Sequence, residues 1–301
     1  MTSGPTLPPP EHDAPLPPGH DGPDGIHRIL GVPYAATPPG IRPRELDLYR
    51  PATDEPVPLV VFLHGGGWRA GSRRSAGPAY ARLSPTPFER VAQAGIAVAS
   101  VDYRLSGEAR WPAQLHDVKA AVRWLRSRAG ELGIDADRIA AWGESAGGHL
   151  AALLGVTGSE LDGDVGVRGP SAAVCAVAAW YPPTDLLELP GDNGADAMAG
   201  DSREALLLGG PLPTLPELAR QASPVAHVSA AAPPFLLLHG RADRLVSYRQ
   251  SDRLRDALAA VGASVDLELY DKADHMWLDA PAAASAALER TISFLTAATG
   301  R

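Results

Sequence analysis

An α/β fold, with a mostly parallel sheet covered by helices on both faces, is predicted by three features of this 301-residue sequence. Short apolar runs recur without alternation, as in strands buried on both sides. Segments with a helical apolar period lie between them. The composition, 45% hydrophobic and 21% charged, supplies an ample core and excludes a wholly disordered chain.

The elements follow in order. Residues 1–25 hold eight prolines, four glycines, four acidic residues and no Lys or Arg. Such a segment buries too little apolar surface to offset its ordering entropy, so a disordered acidic tail is expected, with one domain over 26–301. The tail has neither the basic nor the apolar region of a secretory signal, and a cytoplasmic location is expected. Residues 45–49 (ELDLY) alternate as a half-buried strand does. Residues 57–64 and 96–101 read as fully buried strands, and 115–128 as a helix with Val118, Ala121, Val122 and Leu125 on one face. A strand at 138–142 runs into a helix at 147–156. Further strands are expected at 173–181, 235–239 and 265–270, and helices at 216–226, 248–261 and 282–296. Residues 184–216, rich in Gly, Asp, Pro and Leu, break the alternation and read as a small cap-like insertion.

Several classes are excluded. No apolar stretch approaches the roughly 18 residues that span a bilayer. The formal charge is −8 and the basic residues are scattered, so no nucleic-acid groove is expected. The single cysteine, Cys175, lies in an apolar run and reads as a buried structural thiol. No metal site or cofactor is expected.

Gly143-Glu144-Ser145-Ala146-Gly147 sits between a strand and a helix, the context a G-x-S-x-G nucleophile elbow requires. Small neighbours let a strained Ser145 point outward, and the helix start behind it favours negative charge. His64-Gly65-Gly66-Gly67-Trp68 closes the strand at 57–64. Its unobstructed N–H groups suit an oxyanion hole, made by Gly66 and Gly67 with Ala146. The Lys and Ser/Thr of a phosphate loop are missing.

A serine needs a base. Of nine histidines, His12, His20 and His27 lie in or beside the tail, and His149 points away from the elbow's mouth. His116 and His227 fall in helical patterns, while His64 and His239 read as structural. His275, in the loop after the last strand, is the candidate base. Asp243, one strand earlier, is the candidate orienting acid, in the chain order such elbows use. Asp271 and Asp274 are rivals, too close in the same loop to reach the ring from behind. All three candidates sit at carboxyl ends of strands, where open parallel sheets place sites.

These motifs resemble the α/β-hydrolase superfamily, in its carboxylesterase and acetyl- and feruloyl-esterase-like branch, which overlaps with hormone-sensitive-lipase-like esterases. Leu46-Asp47-Leu48-Tyr49-Arg50-Pro51, Val101-Asp102-Tyr103-Arg104-Leu105, Trp111-Pro112-Ala113-Gln114 with Asp117 and Trp124, and His239-Gly240-Arg241-Ala242-Asp243 also resemble it. The Asp-Pro-Leu stretch of the hormone-sensitive-lipase-like branch is absent, and Ser247 stands where relatives often have proline. The resemblance implies an α/β-hydrolase fold and hydrolysis of small carboxylic esters, with short acyl groups, through an acyl-enzyme. Trp68, Tyr181 and Trp277 stand beside the motifs and are candidates for lining the substrate pocket. An arylformamidase-type amide hydrolase shares the same motifs and remains the alternative. A non-catalytic ligand-binding relative is disfavoured because serine, acid, base and glycines are all present. A peptidase is disfavoured because such enzymes carry a further large domain. The expected partner is a small-molecule ester, and the sequence leaves the oligomeric state open.

Overall fold

The computed structural model describes residues 11–38 and 40–300. Its nine strands are β1 (His20–Asp21), β2 (Ile26–Ala35), β3 (Arg44–Pro51), β4 (Val57–Leu63), β5 (Ala97–Val101), β6 (Ile134–Glu144), β7 (Val177–Trp180), β8 (Phe235–Gly240) and β9 (Val265–Tyr270). They form one sheet in the order β1-β2-β3-β5-β4-β6-β7-β8-β9. The pairs from β1 to β5 are antiparallel, and every pair from β5/β4 to β8/β9 is parallel. The helices are α1 (Pro87–Gln93), α2 (Ala113–Ser127), α3 (Ala129–Leu132), α4 (Ala146–Val156), α5 (Leu189–Asn193), α6 (Arg203–Leu208), α7 (Pro216–Gln221), α8 (Arg249–Ala260) and α9 (Pro281–Thr299).

The apolar runs behave as strands covered on both sides. In β4, Leu59, Val61 and Leu63 enter one core, and Val60 and Phe62 enter the other. In β6, Ile139 and Ala141 face the first core and Ala140 and Trp142 the second. The period of two thus splits each run between two helical layers.

The sequence pattern does not show β2 or α1, nor β1 and the short helices α3, α5 and α6. β2 is interrupted by register shifts between Ile29 and Val32 and between Pro33 and Ala35. Gly31 adopts φ 68° there, and its N–H donates to Asp47 Oδ1 at 2.8 Å, so alternation is lost although the strand is real. α1 carries a capping box. Glu89 N–H donates to Thr86 Oγ1, and Thr86 N–H donates to Glu89 Oε2. The predicted helix at 216–226 splits into α7 and a 3₁₀ turn at Pro224–His227, because Pro224 has no N–H to continue the ladder.

The predicted tail needs correction. Residues 1–10 lie outside the described residues, but the chain from 11 to 25 runs along the domain. Trp124 Nε1–H donates to His12 O at 2.8 Å, and Arg128 Nη1 donates to Ala14 O at 2.7 Å. Leu16 packs on the first core, and β1 pairs with β2. A proline-rich chain offers few N–H groups of its own, but its carbonyls accept from side chains of the body. Cys175 is half-buried rather than buried, since β7 begins two residues after it. Among the described residues no helix is long and apolar enough to cross a membrane.

Candidate active site

β6 ends at Glu144 and α4 starts at Ala146, leaving Ser145 alone at the turn with φ 51° and ψ −118°. A non-glycine residue at positive φ is strained, and the surrounding packing imposes it here. A Cβ on Gly143 would meet Gly147 O at 2.2 Å, and one on Gly147 would meet Leu63 O at 1.9 Å. Gly143 therefore lets α4 start close against the end of β6, and Gly147 lets the turn seat against β4.

His275 Nε2 lies 2.9 Å from Ser145 Oγ, and His275 Nδ1 lies 2.6 Å from Asp243 Oδ2. The carboxylate's other oxygen, Oδ1, accepts the N–H groups of Leu245 and Val246, both at 2.9 Å. His239 Nε2 stands 3.3 Å from Asp243 Oδ2. Burial pushes the Asp243 carboxyl up, but the contacts with His239 and His275 outweigh it and hold it well below the usual carboxylate range. An ionised Asp243 behind Nδ1 fixes the proton there and leaves Nε2 to accept from Ser145.

The rival carboxylates have other partners. Asp274 accepts from the N–H groups of Arg244 at 3.0 Å and His275 at 2.7 Å, and from Arg244 Nε at 2.6 Å. It ties the histidine loop to the acid loop. Asp271 pairs with Arg241 at 3.0 Å on the surface.

Beyond β4, Gly66 and Gly67 take φ 110° and 60°. Among the described residues their N–H groups have no internal acceptor. Glu144 joins this loop to the elbow. Its Oε1 accepts from Gly65 N–H at 3.2 Å, and its Oε2 accepts from Tyr181 OH at 2.8 Å. Burial raises the Glu144 carboxyl above its usual range, and the hydrogen bonds from Tyr181 and Gly65 oppose this. His64 and His149 sit beneath the loop. Trp68 Nε1–H donates to His149 Nδ1 at 3.2 Å, and His149 Nε2–H donates to Ala222 O at 2.6 Å. An indole N–H only donates, so Nδ1 must carry no proton. Burial pushes His149 and His64 down to about 4.

A cavity of about 220 Å³ opens at Ser145. Gly65, Gly66, Gly67, Glu144, Ser145, Arg203, Leu245, His275 and Met276 line it. The three aromatic residues expected there are elsewhere. Trp68, Tyr181 and Trp277 are each 1% exposed. Trp68 packs edge-on to His149, Tyr181 against the His275 ring at 4.6 Å between centroids, and Trp277 against Tyr181, Trp180 and Tyr270. All three take positive φ and turn their rings into the packing behind the loops that carry the site. The actual lining residues Arg203, Leu245 and Met276 were missed. Arg203 comes from the 184–216 insertion, which therefore reaches the site. A larger cavity, about 560 Å³, is lined by Ala173, Val174 and Pro233 at the amino ends of β7 and β8, far from the hydrogen-bonded Ser–His–Asp chain.

The mostly parallel sheet with an elbow after β6 is the α/β-hydrolase fold. The family model described as BD-FAE matches residues 46–258, and the chain belongs to that family. It is similar to "Esterase LipC" of Mycobacterium tuberculosis, 35% identical over 211 residues, which are 70% of this chain and 50% of that protein. It is also similar to "Carboxylesterase NlhH" of the same organism, 39% identical over 149 residues, or 49% of this chain and 42% of that one. The chain spans about half the length of the curated relatives it matches. Among solved structures, a truncated carbohydrate esterase from gut microbiota superposes with TM-score 0.78 at 28% identity, covering 93% of this chain and 99% of that one. A propionate-bound thermophilic esterase, Est2 of Thermogutta terrifontis, gives TM-score 0.71 at 27% identity, with 91% and 94% covered.

Proposed function

We propose that the chain is a serine esterase acting on small carboxylic esters. The observation that carries this reading is the continuous Ser145–His275–Asp243 hydrogen-bonded chain at a 220 Å³ cavity lined by the Gly66 and Gly67 backbone. Ser145 Oγ attacks the ester carbonyl carbon while its proton passes to His275 Nε2. The N–H groups of Gly66, Gly67 and Ala146 hold the oxyanion; Ala146 opens α4 and its N–H has no partner within the helix. The tetrahedral intermediate expels the alcohol as His275 returns the proton to the alkoxy oxygen. Water then attacks the acyl carbon, yields a proton to His275, and the acid leaves as Ser145 recovers its proton. Asp243 stays ionised throughout and stabilises the imidazolium.

The cavity volume favours acyl groups of a few carbons. The names of similar proteins, esterase and carboxylesterase, support the reaction class. The test is a series of 4-nitrophenyl esters of rising chain length, with N-formylkynurenine beside them. Acetyl to butyryl esters are expected to give the highest kcat/KM. Activity peaking at about 12 carbons or more contradicts the size argument, and preference for the formamide replaces the ester reading by an amide one.

A further inference from the structure

The insertion brings one cation into the catalytic cavity. Arg203 opens α6, and its stem lies over the glycine loop: a Cβ at Gly67 would stand 2.6 Å from Arg203 Cδ. Arg203 is half-buried, yet among the described residues its guanidinium has no hydrogen-bond or ion-pair partner. Asp201 and Glu204 flank it in sequence and neither pairs with it. Other arginines near the site are satisfied: Arg244 by Asp274, Arg253 by Asp192, Arg42 by Glu108. Among the described residues the buried carboxyl that lines the cavity is Glu144, and it is already engaged by Gly65 and Tyr181.

The positive lining continues beyond α6. A second cavity, about 520 Å³, is lined by Arg69 and Arg110 together with Ala205 and Leu206. Neither arginine has an acidic partner among the described residues. The same two segments border both cavities: the glycine loop, through Gly67 and then Arg69, and α6, through Arg203 and then Ala205. On a chain of formal charge −8, three unpaired guanidiniums along one edge are a local reversal of sign.

A half-buried guanidinium has given up hydration without gaining a counter-ion. A ligand carboxylate supplies one through short, forked hydrogen bonds that an ammonium matches poorly. We propose that this site takes esters bearing a carboxylate or similar anionic group, and that Arg203 recognises that group; the inference rests on the serine-esterase reading above. Because the catalytic cavity is small, the charge lies within a few atoms of the scissile carbonyl, on either the acyl or the alcohol side.

Two matched substrate pairs test this. 4-Nitrophenyl hemisuccinate against 4-nitrophenyl butyrate places the charge on the acyl side, and 4-acetoxybenzoate against its methyl ester places it on the alcohol side. kcat/KM is measured for the parent, Arg203→Gln and Arg203→Lys, with circular dichroism as a check of folding. The parent is expected to favour the anionic member of one pair about tenfold or more, and added salt to shrink that preference. Arg203→Gln is expected to reduce the anionic-to-neutral ratio about tenfold, and Arg203→Lys to retain part of it. A parent with no charge preference in either pair overturns the inference, as does a preference that Arg203→Gln leaves intact. Hydrolysis of the neutral esters in those cases leaves the esterase reading standing, whereas a parent inert on all four substrates brings down both.

Discussion

The elbow and the insertion that faces it are built on opposite principles. Residues 143–147 are dictated by clearance: Gly143 and Gly147 have no room for a Cβ, and Ser145 is forced to φ 51°. The insertion is a chain of short helices, α5 ending at Gly194 and α6 at Gly209, both left-handed. It is fastened by polar contacts from afar. Thr184 N–H donates to Gln250 Oε1 at 2.8 Å, Arg253 pairs with Asp192 at 3.0 Å, and Asn193 bonds to Leu245 and Ser247. The geometry of the elbow is thus encoded over five adjacent residues, and the shape of the pocket over segments about sixty residues apart.

That contrast breaks most visibly at the nucleophile. Ser145→Ala is expected to cut ester turnover by about 10⁴-fold or more, with the fold intact, since only Oγ is lost. Ordinary turnover in the variant removes Ser145 from its proposed role. Asp243→Asn is expected to cost about 10³ to 10⁴ in kcat, because the amide favours the wrong imidazole tautomer. Asp274→Asn, which loosens the tie between loops, is expected to cost at most about tenfold. The reverse order places the acid in the histidine loop instead.

The same contrast explains what was legible in the sequence. The elbow and the glycine loop are local stereochemical requirements, so they show as motifs, and Asp243 and His275 follow from the loops after the last two strands. β2 did not show, because the bulge around Gly31 and Pro33 erases its alternation. α1 was legible in principle through Thr86 and Glu89 at capping-box spacing. The placement of 11–25 depends on donors in and just after α2, more than a hundred residues away. Arg203 had no local signal, since its place in the cavity follows from how the insertion folds back over Gly67. Trp68, Tyr181 and Trp277 mislead for the converse reason: large aromatic rings close to a motif are drawn into the packing behind it, each 1% exposed.

Acid separates the two regions in order. His64 and His149, below the glycine loop and elbow, protonate near 6.5 when unfolded but only at about 4 when folded. Between those values the unfolded chain binds more protons, so stability falls as pH drops from 6.5 to 4. Each contributes at most about 1.4 kcal/mol per pH unit. Glu144 has the opposite sign. Its raised folded value makes stability fall as pH rises above 4.5, and a single group can cancel at most one of the two histidines. The insertion's Asp192 feels burial pushing it up, but hydrogen bonds from Arg253 and Gln250 hold it below 3.8. Its contribution is present above 3.8 and lost below. Urea unfolding at pH 7, 5.5, 4.5 and 3.5 should therefore show a decline before Asp192 begins to matter. A flat profile from 7 to 4.5 refutes the assignment of two neutral buried histidines.

Glu144 sharpens the comparison because it belongs to the elbow yet holds the glycine loop. Glu144→Gln keeps one acceptor oxygen for Gly65 N–H and presents its NH2 as a donor to the Tyr181 oxygen, whereas Glu144→Ala removes both bonds and leaves buried donors unpaired. Alanine is expected to lower kcat about 10- to 100-fold with KM changed little, since a displaced loop weakens binding of the oxyanion more than of the ground state. Glutamine is expected to stay within a few-fold of the parent. Equal losses in both variants point to a role for the carboxyl's proton instead.

The smallest effect belongs to the insertion's own fastening. Asn193 Nδ2–H donates to Leu245 O at 2.9 Å, and Asn193 Oδ1 accepts Ser247 N–H at 2.9 Å. Leu245 lines the cavity and follows Asp243 by two residues, so Asn193 couples the insertion to the acid loop from outside. Both bonds are exposed, and water can replace them, so Asn193→Ala is expected to leave stability nearly unchanged. Asp243 keeps its contacts with His275 and the Val246 N–H, so the alignment of Ser145 and His275 survives and kcat is expected to stay within about twofold. What loosens is the wall between Leu245 and Arg203, so KM for a short ester is expected to rise about three- to fivefold. Steady-state kinetics on 4-nitrophenyl butyrate separates the two parameters. A fall in kcat at constant KM means that the fastening acts on the acid and not on the pocket, and the division between a locally encoded chemistry and a remotely encoded pocket fails at this residue.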